Sequence, residues 1–167
     1  SFALLRMTTS RTMRVIVQKF GGTILATPAG RERTAEAILR ARANGYATVA
    51  VASAPGREGD PYATDTLLGL VKDLGPEVDA RTLDLILSCG ETISTALLAL
   101  TLLRKGCPSV ALTGAQAGII TTGEFGNARV LRIDPRKILS YLLEGMAVVV
   151  AGFQGVTEEG EVTTLGR

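Results

Sequence analysis

Four short runs of β-branched and small apolar residues recur along the chain, each running into a turn that carries glycine or proline, with stretches of helical spacing between them. The runs are Val15 to Val17, Ala47 to Ala52, Ser109 to Leu112 and Ala147 to Val150. Continuous apolar runs of this length read as strands buried on both faces, and strands separated by helices require right-handed crossovers. The expected fold class is therefore α/β, a mostly parallel sheet covered by helices on both sides. With 167 residues the chain fits one domain, and with 46% hydrophobic but only 4% aromatic residues its core must be aliphatic.

Composition removes several functions. The formal charge is +2 and no stretch gathers a run of like charges, so no nucleic-acid partner is expected. The longest apolar stretch, Ile93 to Leu103, is shorter than the ~18 to 20 residues of a membrane span, so no membrane partner is expected either. Cys89 and Cys107 lack the spacing of a metal knuckle, which suits a reducing, cytoplasmic setting. Because the chain has no histidine, it can build neither a Ser-His-Asp triad nor a His-ligated metal centre, and no metal site is expected. What remains for chemistry is Lys, Arg, carboxylates, hydroxyls and backbone amides, a set suited to phosphoryl transfer.

Residues 1–12 are expected to be an extension or vector-derived, with the domain spanning 13–167. The first strand ends in Lys19-Phe20-Gly21-Gly22, a helix follows over Gly30 to Ala43, and Gly45 is placed to stop it. Ser53 to Ala63 forms a loop before a helix that Thr64 or Asp65 could cap. Val78 to Lys105 is helical but interrupted at Ser88-Cys89-Gly90-Glu91, which predicts two helices or a break, with Glu91 near a helix start. Residues 119–133 suggest a short hairpin or excursion. Asp134 as N-cap, Pro135 at the first position and Gly145 at the end mark a helix, and Thr163-Thr164 reads as an edge strand.

Ligands of such sheets bind beyond the carboxyl ends of the strands, so the four strand tips should share one rim. Gly21 and Gly22 would let backbone N–H groups approach an anion, with Lys19 adding positive charge; by pattern alone the same residues are more often a plain turn with a solvated lysine. Glu91, Ser53 and Thr64 likewise read by pattern alone as local capping residues.

Taken in order, VQKFGGT (Val17 to Thr23), GDPYATDTLL (Gly59 to Leu68), LSCGETIS (Leu87 to Ser94), LTGAQAGI (Leu112 to Ile119), VVVAGFQG (Val148 to Gly155) and TTLGR (Thr163 to Arg167) resemble the start of the aspartokinases, members of the amino-acid kinase family. The GDPYATDTLL version is similar to that of Bacillus-type enzymes. The resemblance implies a three-layer amino-acid kinase fold, incomplete at its carboxy-terminal end, and transfer of the ATP γ-phosphoryl group to the side-chain carboxylate of L-aspartate. It assigns Lys19 to catalysis and phosphate binding, Gly21 and Gly22 to the phosphate, and Ser53, Thr64, Glu91 and Arg167 to the substrate. ATP would come with Mg2+ as co-substrate, no tightly bound cofactor is implied, and the full-length protein would be a homo-oligomer. Two positions depart from the family pattern, Ile24-Leu25 in place of Ser-Val and Pro55 in place of Met. The matched span covers only the amino-terminal part of a kinase domain. The alternatives are another amino-acid kinase, or a non-catalytic aspartate-binding or subunit-association module.

Overall fold

A computed structural model describes residues 12–75 and 77–166, so Arg167 and all of the expected extension except Thr12 lie outside the described residues. Strands β1 (Val15–Phe20), β2 (Ala47–Ala52), β3 (Ser109–Leu112) and β6 (Ala147–Ala151) are the four apolar runs. They form one parallel sheet in the order β1-β2-β6-β3. Phe20 lies beside Ala52 and Ala52 beside Ala151 in the register, so three adjacent strands release the chain at the same level.

The helices that cover this sheet are α2 (Pro28–Ala43), α4 (Ala80–Arg104) and α5 (Arg136–Leu143), with short helices α1 (Gly22–Leu25) and α3 (Thr64–Gly69) beside the strand tips. One core joins Ala35 and Ile38 of α2 and Leu98 and Leu102 of α4 to Ala50, Ala52 and Val149 of the sheet. A second joins Leu142 of α5 to Val49, Val148, Val150 and Leu112. Nearly all these side chains are aliphatic, as the aromatic-poor composition requires. Helix α2 begins earlier than its apolar spacing suggests, because the Thr27 side chain caps it by accepting the Gly30 N–H at 3.0 Å and Pro28 opens it. Gly45 and Gly145 end α2 and α5 with φ of 82° and 78°, the left-handed conformation that suits glycine.

A second, smaller sheet takes up the rest of the chain. Strands β4 (Ile119–Thr121) and β5 (Val130–Ile133) form the expected hairpin, and β7 (Gln154–Val156) and β8 (Val162–Thr164) complete the order β5-β4-β7-β8. Thr163 and Thr164 do stand in an edge strand, but both are fully buried: the Thr164 side chain meets Asp84 of α4, and the Thr163 hydroxyl meets that of Thr121 in β4.

Three expectations are corrected. Neither Thr64 nor Asp65 caps α3, whose N-cap position is Ala63 with no side-chain cap. Helix α4 runs unbroken for 25 residues, and Glu91 lies in its middle rather than near a start. Gly90 has a different reason to be glycine: a Cβ there would meet the Tyr62 carbonyl oxygen at 2.7 Å and the Ala54 Cβ at 2.8 Å, so the loop after β2 presses directly on the helix. The full helix is also long and apolar enough to cross a membrane by length and composition, yet half of that stretch is buried inside the protein, with Asp84 and Glu91 buried along it. It is a core helix. Asp134 is not the N-cap of α5, a place taken by Pro135. Its carboxylate instead grips the Arg136 guanidinium and N–H, which hold its pKa down to about 2.

The side chain of Gln154, 3% exposed, ties the sheets to α4: it accepts the Gly114 N–H at 3.2 Å and donates to the Ser88 carbonyl at 2.9 Å. Replacing Gln154 by Leu leaves that N–H unsatisfied and should cost about 1–3 kcal/mol, read as a lower denaturant midpoint at unchanged slope. Gly90→Ala should destabilise by about 1–3 kcal/mol through overpacking, despite alanine's better helix propensity. Gly69→Ala, with nothing within 4 Å of its Cβ, should leave the melting temperature unchanged or raised.

Candidate active site

At the carboxyl rim of the large sheet lies a cleft of ≈ 310 Å³, lined by Lys19, Val51, Ser53, Thr64, Glu91, Gly152 and Phe153. Three of the four strand tips meet there: Lys19 comes from the end of β1, Ser53 follows β2, and Gly152-Phe153 follows β6. The fourth tip, Thr113-Gly114 after β3, turns instead onto the Gln154 side chain. The loops are drawn together by backbone bonds, from Ser53 N–H to the Phe20 carbonyl at 3.1 Å, from Gly56 N–H to Gly22 at 2.9 Å and from Gly152 N–H to Ala52 at 2.9 Å.

Lys19 is exposed at the mouth of the cleft, whereas Glu91 is 3% exposed in its wall. The Glu91 Oε1 accepts the Ala54 N–H at 3.2 Å, which fixes the loop after β2 on the helix and orients the carboxylate. A cation and an anion in one small cleft, bordered by two hydroxyls, match a zwitterionic ligand. The volume is at the lower end of the ~300–1,000 Å³ typical of small-molecule sites.

Of the expected site residues, Lys19, Ser53, Thr64 and Glu91 line this one cleft. Gly21 and Gly22 stand at its edge, half-buried, and are not among the lining residues. The backbone of Gly21 faces open space, and a Cβ on Gly22 would come within 2.2 Å of the Ala54 carbonyl oxygen, so close approach of the two loops requires the second glycine. Arg167 lies outside the described residues. Ile24 is 36% exposed and not part of the lining, while Leu25 is fully buried in the core, which accounts for an apolar residue at that position. Among the described residues no group of three or more Cys, Asp or Glu side chains is placed to hold a metal ion.

Like Val51 and Gly152, Phe153 of the VVVAGFQG motif is a lining residue to which the sequence reading gives no role. Its φ of 62° makes it the one non-glycine residue with positive φ among the described residues, a conformation that costs an aromatic residue about 1–3 kcal/mol. The Leu165 N–H donates to its carbonyl at 2.9 Å and helps hold it there. Its neighbour Gly152 offers a signal in the sequence, since GFQG places a bulky residue in a turn where glycine or asparagine is usual.

The amino acid kinase family model matches residues 14–167. Aspartokinase 1 of Bacillus subtilis is 49% identical over 155 residues, covering 93% of this chain and 38% of that protein. Aspartokinase of Geobacillus stearothermophilus is 46% identical, with 93% of this chain and 37% of that protein covered. The chain thus spans well under half the length of the curated relatives it matches. In structure, aspartate kinase from Synechocystis superposes with a TM-score of 0.74 at 42% identity, over 92% of this chain and 24% of that one. Aspartokinase III of E. coli, solved in complex with aspartate and ADP, shares the fold with a TM-score of 0.72 at 21% identity, over 92% and 44%. The chain belongs to the amino acid kinase family, and the relatives it resembles are aspartokinases.

Proposed function

We propose that the protein is an aspartate kinase of the cytoplasm, transferring the ATP γ-phosphoryl group to the side-chain carboxylate of L-aspartate to give 4-phospho-L-aspartate, the first step of lysine, threonine and methionine synthesis. The observation that carries this reading is the pairing of Lys19 and Glu91 in one cleft at the carboxyl rim, in a chain that is 49% identical to an aspartokinase.

The absence of histidine fits this chemistry. A carboxylate with a pKa near ~4 is already ionised at pH 7 and needs no general base. One of its oxygens forms a bond to the γ-phosphorus as the bond to the ADP oxygen breaks, and ADP leaves with that electron pair. The obstacle is repulsion between anions. Lys19 neutralises charge on the transferring group, and the amides of Gly21 and Gly22 donate to phosphate oxygens. Mg2+ would arrive with ATP, held largely by phosphate oxygens and water. Glu91 pairs with the substrate ammonium, Ser53 and Thr64 border the ligand with hydroxyls, and Arg167 grips a carboxylate as a fork.

Incubation of the full polypeptide that the gene encodes with L-aspartate, Mg-ATP and hydroxylamine should yield aspartyl hydroxamate, and Lys19→Ala should lower kcat by ~10²-fold or more. Hydroxamate formed equally well from other amino acids would favour another kinase of the family. Aspartate binding without any hydroxamate would favour the binding-module reading. In the same assay Glu91→Gln should raise the aspartate KM by ~10-fold or more, as expected for loss of a charge-assisted bond, while changing the ATP KM little.

A further inference from the structure

Asp84 lies two turns before Glu91 on α4, which places both carboxylates on one helix face about 10 Å apart along the axis. It is 1% exposed, and a carboxylate that deeply buried persists only among donors. Its Oδ2 accepts the Thr164 N–H at 2.8 Å and the Gly126 N–H at 3.0 Å, and its Oδ1 accepts the Thr164 hydroxyl at 2.7 Å. Asp84 lines a cavity of ≈ 360 Å³ that adjoins the cleft and shares Thr64 and Phe153 with it. The proposed phosphoryl transfer gives this carboxylate no task.

The bonds to Asp84 clamp the end of β8 from the helix side. On the other sides, the Ala128 N–H donates to the Thr164 carbonyl at 3.0 Å, the Gly166 N–H donates to the Ala128 carbonyl at 3.1 Å and the Leu165 N–H donates to the Phe153 carbonyl at 2.9 Å. The segment Thr164–Gly166 is therefore held against α4, against the loop before β5 and against Phe153.

We infer that Asp84 is a positioning residue for the amino-acid substrate: by tying Thr164 and, through the next residue Leu165, the Phe153 backbone to the helix that carries Glu91, it sets the distance between Glu91 and Phe153 across the cleft. This rests on the aspartate-kinase reading above. Three donors converge on the carboxylate, and Asn can reproduce the arrangement, because its oxygen accepts the two N–H groups while its amide donates to the Thr164 hydroxyl. Ala offers no acceptor and leaves all three donors unsatisfied beside an enlarged cavity.

The test is steady-state kinetics of hydroxamate formation by the full polypeptide that the gene encodes, with amide hydrogen exchange alongside. Asp84→Ala should raise the aspartate KM by ~10- to 100-fold while kcat and the ATP KM stay within ~3-fold, the split expected when misplacement is confined to the substrate side. Asp84→Asn should restore all three constants. Exchange of the Gly126 and Thr164 amides should speed up in the Ala variant and not in the Asn variant. An unchanged aspartate KM in Asp84→Ala overturns the inference, and so does a parallel loss in all three constants, which marks general unfolding. An Asn variant as impaired as the Ala variant also overturns it, since charge rather than position would then be what matters. If the wild-type protein makes no hydroxamate, the aspartate-kinase reading fails instead, and the exchange of Gly126 and Thr164 decides the tether by itself.

Discussion

Helix α4 carries buried polar groups at Asp84, Ser88 and Glu91, spaced by four and three residues and therefore on one face. Each bonds to a different part of the sheets: Asp84 to the end of β8 and the loop before β5, the Ser88 carbonyl to Gln154 of β7, and Glu91 to the loop after β2. An unsatisfied buried polar group costs more than its bond contributes, so the Asp84 carboxylate and the Gly114 and Ala54 N–H groups that these contacts satisfy favour this one placement of the helix. The apolar remainder of α4, through Leu98, Ala99 and Leu102, supplies the burial that drives it onto the large sheet. Hydrophobic contact decides that the helix packs there, and the polar face decides its register.

The large sheet is legible in the sequence because a strand buried on both faces needs continuous apolar residues, and Ala147–Ala151, buried throughout, shows that pattern without interruption. The small sheet is less legible. Strands of three or four residues such as β4, β7 and β8 are too short for periodicity to declare them, and β8 takes threonines because their hydroxyls find partners in Asp84 and Thr121. The misread break in α4 has a physical cause of the same sort. Gly90 weakens a helix by local propensity, but its role is to admit the loop after β2, a contact between residues far apart in the chain.

For the candidate site, Lys19, Ser53 and Thr64 stand in or beside turns that glycines and prolines mark after strand ends, and a parallel sheet gathers such turns on one rim, while Glu91 reaches the same rim from the middle of α4. Phe153 is hidden because its importance lies in a backbone angle that composition does not show. Asp84 is hidden for another reason. In the run Leu83-Asp84-Leu85 it reads as a solvated helical residue, and only the second sheet, which has no strong pattern of its own, brings it three donors.

The placement of charge in the cleft has a consequence for selectivity under the proposed reaction. Two like charges about 4 Å apart repel by about 4 kcal/mol at an effective dielectric constant of 20, so an anionic acceptor reaches an anionic phosphate only with a cation beside them. Lys19 supplies that cation from the end of a strand, while Glu91 supplies the opposite charge from the middle of a helix. They stand on separate rigid elements, locked by the bond from Ala54 to Glu91 and by the parallel register of β1 and β2. A single methylene in an apolar pocket is worth about 1–3 kcal/mol of discrimination, and a fixed pair of charges can add to that because a mismatched ligand leaves one of them unpaired.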